Sequence, residues 1–279
     1  MLGLTSSLLS SVPGVSHRFL QRIGGTSPAP WRALNTSHDV GDVNARVDEN
    51  LARVRFQIGV PRNALYSVTQ VHGRDVVRID GDSRDDVDEV RAKRADALVT
   101  SAPRVALGIR TADCAPILLA VDDGSAVAAA HAGWRGAVGG VLEATVTSLC
   151  ELARVDAKRI VASVGPCIGV SAFEVGPEVV EAAARALALE TSDATVGGLA
   201  HIDATTAKAH LDLARLCVRV LARAGVERVD VVAGDTYGDE ERYFSHRRDV
   251  THRGQKETGR QMSAIARADP PKLDDESLR

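Results

Sequence analysis

The chain places a single histidine between an apolar run and a glycine-rich segment, in the stretch AVAAAHAGWRGAVGGV at 126–141. The alanines and valines before His131 predict a buried strand, and the glycines after it open a segment with helical spacing. Earlier apolar runs of strand length are separated by Gly, Asp and Pro. They cover 64–71, 96–100, 105–111 and 116–121, and the run that contains the histidine covers 126–132. These runs predict a sheet in which one strand ends beside His131.

The second half of the chain mixes helices with strands. Apolar residues at helical spacing over 138–152 predict a helix that packs on a sheet. Further helices are predicted at 177–190, which begins with Pro, and at 206–225, which ends at Gly. Strands are predicted at 159–165 and 228–234. Several strands, one helix and then mixed elements favour an α+β sandwich over a strictly alternating α/β barrel.

We expect residues 1–266 to form a single catalytic domain. The charged segment 80–95 is predicted to be an exposed loop. The polar tail 267–279 contains two adjacent prolines and is predicted to be disordered. Neither of these two segments is expected to carry chemistry.

Charge and aromatic content narrow the classes of partner. The 34 basic residues are scattered among 37 acidic ones, so no basic stripe indicates binding along nucleic acid. Aromatic residues make up 3% of the chain, which leaves few platforms for stacking successive bases. A small molecule is therefore the expected partner, with no nucleic acid, no membrane and no obligate protein partner.

The cysteines and the N-terminal segment bear on location. Cysteine occurs four times without a C-x-x-C pair, a pattern typical of reduced thiols. Residues 1–15 lack the basic start and the cleavage site of a secretory signal, and no run approaches the ~20 apolar residues that span a bilayer. We expect a cytoplasmic protein.

A hairpin between 116–121 and 126–132 would bring a cysteine next to His131. If the chain turns around Asp123 and Gly124, His131 pairs with Pro116. Cys114 then lies diagonal to His131 on the same face of the ribbon, within reach of a shared atom. A register shift of one residue would put the two side chains on opposite faces.

A thiolate and an imidazole at the end of a strand suit Zn²⁺, and His72, which follows the run 64–71, is a candidate third ligand. Three protein ligands leave a position open, as in catalytic zinc sites. Spacing alone does not decide the matter, since a cysteine beside an apolar strand is commonly a small core residue. Cys114 as a nucleophile with His131 as its base is the metal-free alternative.

The glycines after His131 indicate an anion site. They let the backbone approach a ligand, and the helix that follows presents free N–H groups and the positive end of its dipole. Arg135 adds a guanidinium suited to phosphate. A tight turn with packing glycines is the alternative.

Several ordered motifs together resemble the YfiH-type laccase-domain family, whose members are regarded as purine nucleoside phosphorylases. The motifs extend over nearly the whole chain. They are GGTSPAPWRALN (24–35), HDVGD (38–42), QVHG (70–73), DALVT (96–100), TADCAPILL (111–119), AAAHAGWRG (128–136), GPCIG (165–169), FSHRRD (244–249) and TGR (258–260).

The resemblance implies a four-layer α-β-β-α sandwich with mixed sheets, and a zinc ion held by the counterparts of His72, Cys114 and His131. It implies phosphorolysis of adenosine, inosine and S-methyl-5′-thioadenosine, with phosphate as co-substrate and a side activity of adenosine deamination. The family is also linked to peptidoglycan editing. One departure is that relatives often carry a Cys-Thr pair where this chain has Asp235 and Thr236.

Other polar residues of these motifs are candidates for binding substrate. Arg247 and Arg248 are further candidates for binding the anion, or belong to a solvated surface run. Asn35 is a candidate for binding ribose or for capping a turn. Asp113 is a candidate for orienting a metal-bound histidine or for closing an Asx turn.

Two further functions compete with the phosphorylase. A multicopper oxidase, which the word laccase suggests, needs many histidines, often as His-x-His pairs, and this chain has eight histidines without such a pair. Copper is therefore the less favoured metal. A zinc-stabilised binding module that acts in cell-wall editing is the alternative outside catalysis.

Overall fold

The computed structural model describes residues 3–61, 63–81, 86–189, 197–202 and 208–268. The strands in chain order are β1 (Gly3–Leu4), β2 (Val15–Leu20), β3 (Leu65–Tyr66), β4 (Val76–Ile79), β5 (Ala97–Thr100), β6 (Ala106–Thr111), β7 (Ala115–Val121), β8 (Val127–Ala132), β9 (Ile160–Val164), β10 (Glu174–Val175), β11 (Ala200–Ile202), β12 (Ala209–Leu211), β13 (Arg228–Val231) and β14 (Gln261–Arg267). The helices are α1 (Ser7–Ser10), α2 (Asn44–Ile58), α3 (Val87–Ala92), α4 (Trp134–Gly139), α5 (Val141–Ala153), α6 (Pro177–Ala186) and α7 (Leu213–Arg223), with a 3₁₀ turn at Ala157–Arg159 and a π-helical segment at Arg247–His252.

The strands form two large mixed sheets and a small antiparallel one. The six-stranded sheet has the order β13-β9-β7-β8-β5-β4, and the five-stranded sheet has the order β1-β2-β14-β6-β3. In both sheets parallel pairs lie at an edge, since β13 pairs with β9, β4 with β5 and β3 with β6 in parallel. The small sheet has the order β10-β12-β11. The α+β class predicted from the order of elements is confirmed.

The buried side chains show how the elements stack. Residues of the two large sheets meet in one cluster, where Phe19, Leu107 and Ile265 of the five-stranded sheet pack with Leu118 and Ala129 of the six-stranded sheet. The opposite face of the six-stranded sheet packs on α4 to α7. The opposite face of the five-stranded sheet packs on α2. This packing follows the helix–sheet–sheet–helix order that the family resemblance implies.

Two predicted elements differ from the observed ones. The strand predicted at 64–71 is limited to β3, because the chain then leaves the sheet toward His72. The predicted helix at 206–225 begins only at Leu213, capped by the Asp212 side chain, and Ala209–Leu211 before it form β12 in the small sheet, while 206 and 207 lie outside the described residues. Helical periodicity cannot distinguish that short edge strand from an additional helical turn.

The other predicted boundaries need smaller corrections. The segment 80–95 is not all loop, since it contains α3, capped by Asp86, and buries Val90 in the core. The helix predicted over 138–152 is α5, and Gly140 in the left-handed region (φ 95°) separates it from α4. Most of the tail 267–279 lies outside the described residues. Across the described residues, no helix has the length and apolar character that crossing a bilayer requires.

Candidate metal centre and its cavity

The β7–β8 hairpin brings Cys114 to His131. Pro116 pairs with His131, so the predicted register is confirmed. Gly124, in the left-handed region (φ 72°), lies in the turn between the two strands. Cys114 directly precedes β7 and lies diagonal to the histidine.

The third side chain comes from the loop after β3. His72 Nε2 lies 3.8 Å from Cys114 Sγ, and the ring centroids of His72 and His131 are 4.8 Å apart. One ligand atom from each of the three residues lies within 4.8 Å of the others. Three residues that are remote in the chain therefore meet at one point, as the sequence predicted.

Asp96, which sequence reasoning missed, fixes the two histidines. Its side chain is fully buried directly before β5, where it accepts a hydrogen bond from His131 Nδ1 at 2.8 Å. Its two oxygens also accept the backbone N–H groups of Val71, His72 and Gly73 at 3.1, 3.0 and 2.6 Å. The signal in the sequence was an acidic residue at the start of the apolar run DALVT, where a buried carboxylate must find donors.

The backbone around these residues is tightly restricted. His72 lies in the left-handed region with φ 59°, held there by the N–H groups that bind Asp96. Gly133 leaves the space the two side chains need, because a Cβ there would lie 2.9 Å from Cys114 Sγ and 3.0 Å from His72 Cδ2. Both positions therefore carry a local constraint of the kind found at functional sites.

The electrostatics favour a thiolate at Cys114. Burial opposes ionisation of the thiol, but the charge and hydrogen bonds of His131 and His72 outweigh it and lower the pKa of Cys114 to about 6. Burial likewise disfavours the charged form of His131, yet Cys114 and Asp96 raise the pKa of His131 to about 9. The thiolate and the imidazolium thus stabilise each other without a metal, and a cation that binds the thiolate replaces the imidazolium proton.

The three residues fit a bound transition metal ion. Two imidazoles and one thiolate are a donor set that suits Zn²⁺ or copper, and three protein ligands leave coordination positions for substrate. Because Nδ1 of His131 donates to Asp96, its Nε2 keeps a free lone pair for a metal. Geometry and donor chemistry agree on a metal centre and do not distinguish the two metals.

The candidate centre lies in the wall of a cavity of about 630 Å³. One part of the lining is apolar, and elements next to the six-stranded sheet supply Trp134, Ile168, Phe173 and Leu213. The rest is polar, and four arginines line it with His246 and three carboxylates: Arg110, Arg135, Arg247 and Arg260, and Asp39, Asp113 and Glu257. Such a cavity accommodates a ligand with one aromatic and one anionic part.

Two of the predicted anion-binding arginines line this cavity. Arg135 is exposed, and its guanidinium lies 4.5 Å from the ring centroid of Trp134. The Arg247 guanidinium lies 5.6 Å from the Phe173 ring centroid and donates to the Glu174 carbonyl at 3.0 Å. The predicted helix dipole contributes little, because α4 has only six residues and ends at Gly139.

Arg248 is a structural residue rather than an anion-binding one. It is buried and donates to the Asp249 carboxylate and to three backbone carbonyls, those of Thr236, Tyr237 and Tyr243. The sequence predicted that Arg248 binds the anion or belongs to a solvated surface run, and its buried environment agrees with neither prediction. Two arginines adjacent in the chain therefore have different environments because the π-helical turn directs them apart.

Asn35 does not face the cavity. It is fully buried and donates to the Ser37 carbonyl and the Asp42 carboxylate, while its oxygen accepts the N–H groups of Ser37 and Arg260. Because the side-chain nitrogen and oxygen of Asn35 both have partners within the protein, Asn35 stabilises the loop. This agrees with the predicted turn cap and not with the predicted ribose contact.

Asp113 lines the cavity but orients no histidine. With φ 100°, it directs its carboxylate to the Thr236 hydroxyl at 2.7 Å and the Arg247 N–H at 2.6 Å. The orienting carboxylate is that of Asp96, so this part of the sequence interpretation is corrected. Asp113 instead ties the segment of Cys114 to the segment of Arg247.

Asp235, the position at which the sequence departs from the pattern that the family resemblance implies, also has a structural environment. Its Oδ1 accepts the N–H groups of Gly169 and Tyr237 at 2.9 Å, and its backbone forms a bridge with Cys167. Asp235 thereby anchors the loop that leads from β9 to the cavity.

The chain matches a known family over most of its length. The family model described as multi-copper polyphenol oxidoreductase laccase covers residues 16–268. The chain belongs to this laccase family. A multicopper centre needs several metal ions. Within the described ranges, this laccase-family chain has a single group of three residues that could bind a metal, His72, Cys114 and His131.

Individual relatives carry names that differ from that description. The chain is 38% identical over 254 residues to "Purine nucleoside phosphorylase YfiH" of Escherichia coli, which covers 90% of this chain and 93% of the relative. It is 37% identical over 235 residues to "Adenosine deaminase RL5" from an unknown prokaryotic organism, covering 82% and 87%. The crystal structure of Neisseria meningitidis protein NMB0706 has a TM-score of 0.79 at 32% identity and covers 96% of this chain and 100% of that one.

Proposed function

We propose that this protein is a zinc-dependent purine nucleoside phosphorylase. It transfers the ribosyl group of adenosine or inosine, and the methylthioribosyl group of S-methyl-5′-thioadenosine, from the purine to phosphate. The observation that carries the proposal is the meeting of two imidazoles and a thiolate in the wall of a cavity with an aromatic part and a cationic part. The name of the Escherichia coli relative, a purine nucleoside phosphorylase, agrees with it.

His72, Cys114 and His131 would hold the zinc ion. A zinc ion bound there supplies Lewis-acid chemistry, because it stabilises negative charge on an oxygen of the attacking group. Asp96 keeps the proton of His131 on Nδ1, so Nε2 faces the centre as a lone pair. A multicopper centre is the less favoured alternative, since the described residues offer one cluster of ligands rather than several.

The other cavity residues bind and orient the substrates. Phe173, Ile168 and Leu213 form an apolar surface on which a purine is shielded from water. The arginines of the cavity attract the anion. A phosphate oxygen attacks C1′ while the bond from C1′ to the purine nitrogen breaks, and the electron pair leaves with the purine, which takes up a proton. Exclusion of water from this cleft favours attack by phosphate over hydrolysis.

Adenosine deamination is a second candidate activity at the same centre. The specific observation for it is the similarity to the relative named adenosine deaminase. Water rather than phosphate is the attacking group in that reaction, and it adds to the purine ring with loss of ammonia. The two reactions share the purine part of the cavity and differ in their need for an anion.

The experiment incubates the purified protein with inosine or methylthioadenosine, with and without phosphate, and quantifies free base and sugar phosphate. Metal content is measured on the same sample. We expect equal amounts of base and sugar phosphate, about one zinc ion per chain, and loss of activity in His131→Ala. Base released without phosphate would identify a hydrolase instead.

A metal-free Cys114 hydrolase gives a different result. Full activity in a sample stripped of metal by a strong chelator, together with inactivation by alkylation of Cys114, would exclude the zinc-dependent phosphorylase. Unchanged nucleosides with excess protein and phosphate would favour a binding module.

A further inference from the structure

Arg110 and Arg260 meet on the wall of the cavity that the five-stranded sheet forms. Arg110 is on β6, and Arg260 directly precedes β14, the strand that pairs with β6. Met262 is the partner of Arg110, which places Arg260 two residues further toward the cavity end of the same pair of strands. Both side chains line the cavity, and each lies close enough to the other for its charge to act on it.

The two guanidinium groups are held by the backbone rather than neutralised. Arg110 is buried and donates to the Val68 carbonyl at 2.8 Å. Arg260 donates to the Thr258 and Gly259 carbonyls at 2.8 and 3.0 Å. Carbonyl oxygens fix the position of a guanidinium but carry no negative charge that would neutralise it.

The nearest carboxylates compensate these charges only in part. Asp39 is 3.8 Å from Arg110, beyond hydrogen-bonding distance, and its side chain is 75% exposed. Glu257, Asp113 and Asp39 act on Arg260 through space, and none of them is hydrogen-bonded to it. Burial lowers the pKa of both arginines, and the charge of Arg260 lowers that of Arg110 further. A pair of desolvated like charges costs free energy that a bound anion recovers.

The pair is also close to the candidate metal centre. Arg260 is within electrostatic range of Cys114 and of His246, which also lines the cavity. An anion between Arg110 and Arg260 would therefore lie in the same cavity as the three candidate ligands and within electrostatic range of Cys114. The apolar residues Phe173 and Leu213 belong to the wall next to the six-stranded sheet.

We propose that Arg110 and Arg260 form the subsite for the phosphate co-substrate, while the wall at Phe173 receives the purine. This inference rests on the proposed phosphorylase function. It moves the anion away from Arg135, which is exposed, and from Arg248, which is committed to Asp249. The subsite also distinguishes the two candidate reactions, because phosphorolysis needs bound phosphate and deamination does not.

The experiment compares Arg260→Gln and Arg110→Gln with the wild-type protein in both reactions. Phosphate and nucleoside concentrations are varied separately, and adenosine deamination is measured without phosphate. We expect the KM for phosphate to rise about 10- to 100-fold in each variant, as for loss of a charged hydrogen bond. The KM for nucleoside and the deamination rate should change by less than about threefold, well below that range.

Arg18→Gln is the matched control. Arg18 is an arginine on β2 in the same sheet, donates to a backbone carbonyl, and lies outside the cavity lining. It should leave both KM values unchanged. Arg260→Lys and Arg110→Lys keep the charge and should recover part of the phosphate affinity, which separates loss of charge from loss of folding.

The outcomes distinguish this subsite from the proposed function. A wild-type KM for phosphate in both Gln variants, or equal losses in phosphorolysis and deamination, would overturn the subsite while phosphorolysis by the wild type stands. If the wild type carries out no phosphorolysis, the function fails, and equilibrium dialysis with radiolabelled inorganic phosphate tests the subsite directly. Binding to the wild type that both Gln variants lose supports the pair, and absence of binding to the wild type overturns it.

Discussion

Asp96 accepts a hydrogen bond from Nδ1 of His131 at 2.8 Å, and this bond decides which nitrogen of the ring faces the cavity. The same carboxylate receives the N–H of His72, so one buried side chain sets both histidines. Burial opposes its ionisation, yet the hydrogen bonds from His131 and Gly73 lower the pKa of Asp96. The carboxylate therefore stays charged and keeps the proton on Nδ1.

Asp96→Asn should weaken metal binding more than it weakens the fold. An amide can present its NH₂ group to Nδ1, which moves the ring proton to Nε2 and removes the lone pair that faces the centre. We expect zinc affinity to fall about 10- to 100-fold, the usual effect of losing such a partner. Competition with a zinc chelator measures it, with circular dichroism as the check on folding.

Asp42→Asn is the control for that measurement. Asp42 is also buried and binds Asn35 and the N–H of Val43, outside the cavity lining. Its substitution should lower stability and leave zinc affinity unchanged. Equal losses of zinc affinity in the two variants would show that Asp96 has no special effect on the histidines.

Gly133→Ala should disrupt the candidate centre. The added methyl group would lie 2.9 Å from Cys114 Sγ and 3.0 Å from His72 Cδ2, so both ligands must shift. Gly139→Ala, at the last residue of α4, is the matched control, because nothing lies within 4 Å of a Cβ placed there. Activity and zinc content should fall in the first variant only, and a fully active Gly133→Ala enzyme would contradict this account.

The sequence predicts the β7–β8 hairpin well because local patterns determine it. The turn residues and the two-residue period of a strand together set the register, and that register places Cys114 near His131. The position of His72 depended on its place at the end of an apolar run and on the family motifs. The positions of side chains at the ends of strands can thus be predicted from the sequence.

The remainder of the site depends on contacts between distant segments. Asp96, Arg110 and Arg260 gain their roles only when β5, β6 and β14 come together, and no local spacing connects them. The same holds for Asn35, whose four polar contacts come partly from a residue 225 positions away. The sequence motif therefore indicates that a polar residue lies near the site, but only the folded structure shows which residue it binds.

Substitution of Arg248 should destabilise the fold much more than substitution of the neighbouring Arg247. Arg248→Gln removes the partner of a buried carboxylate and leaves the Thr236, Tyr237 and Tyr243 carbonyls with fewer donors. We expect a loss of about 3–5 kcal/mol in the free energy of unfolding. Arg247→Gln loses one hydrogen bond to a carbonyl, so about 1 kcal/mol is expected. Urea denaturation measures both, and similar losses in the two variants would refute the distinction.

His17 should make stability depend on pH in the acid range. The residue is 2% exposed, and its Nε2 accepts the N–H of Ser6 at 2.8 Å, which requires an unprotonated nitrogen. Burial, with the charge of Arg18, lowers the pKa of His17 from 6.5 to about 4. Because the folded pKa lies below the unfolded one, this contribution is complete above pH 6.5 and is lost as the pH falls toward 4.

The shift of the His17 pKa corresponds to about 3 kcal/mol of unfolding free energy. His17→Gln keeps an acceptor for Ser6 and carries no titrating group, so its unfolding free energy should fall less steeply between pH 6.5 and 4 than that of the wild type. The other titrating groups are the same in both proteins, so their contribution cancels in the difference. His201→Gln, at an exposed position on β11, should retain the wild-type slope. Parallel curves for the wild type and His17→Gln would mean that the buried ring does not contribute to acid unfolding.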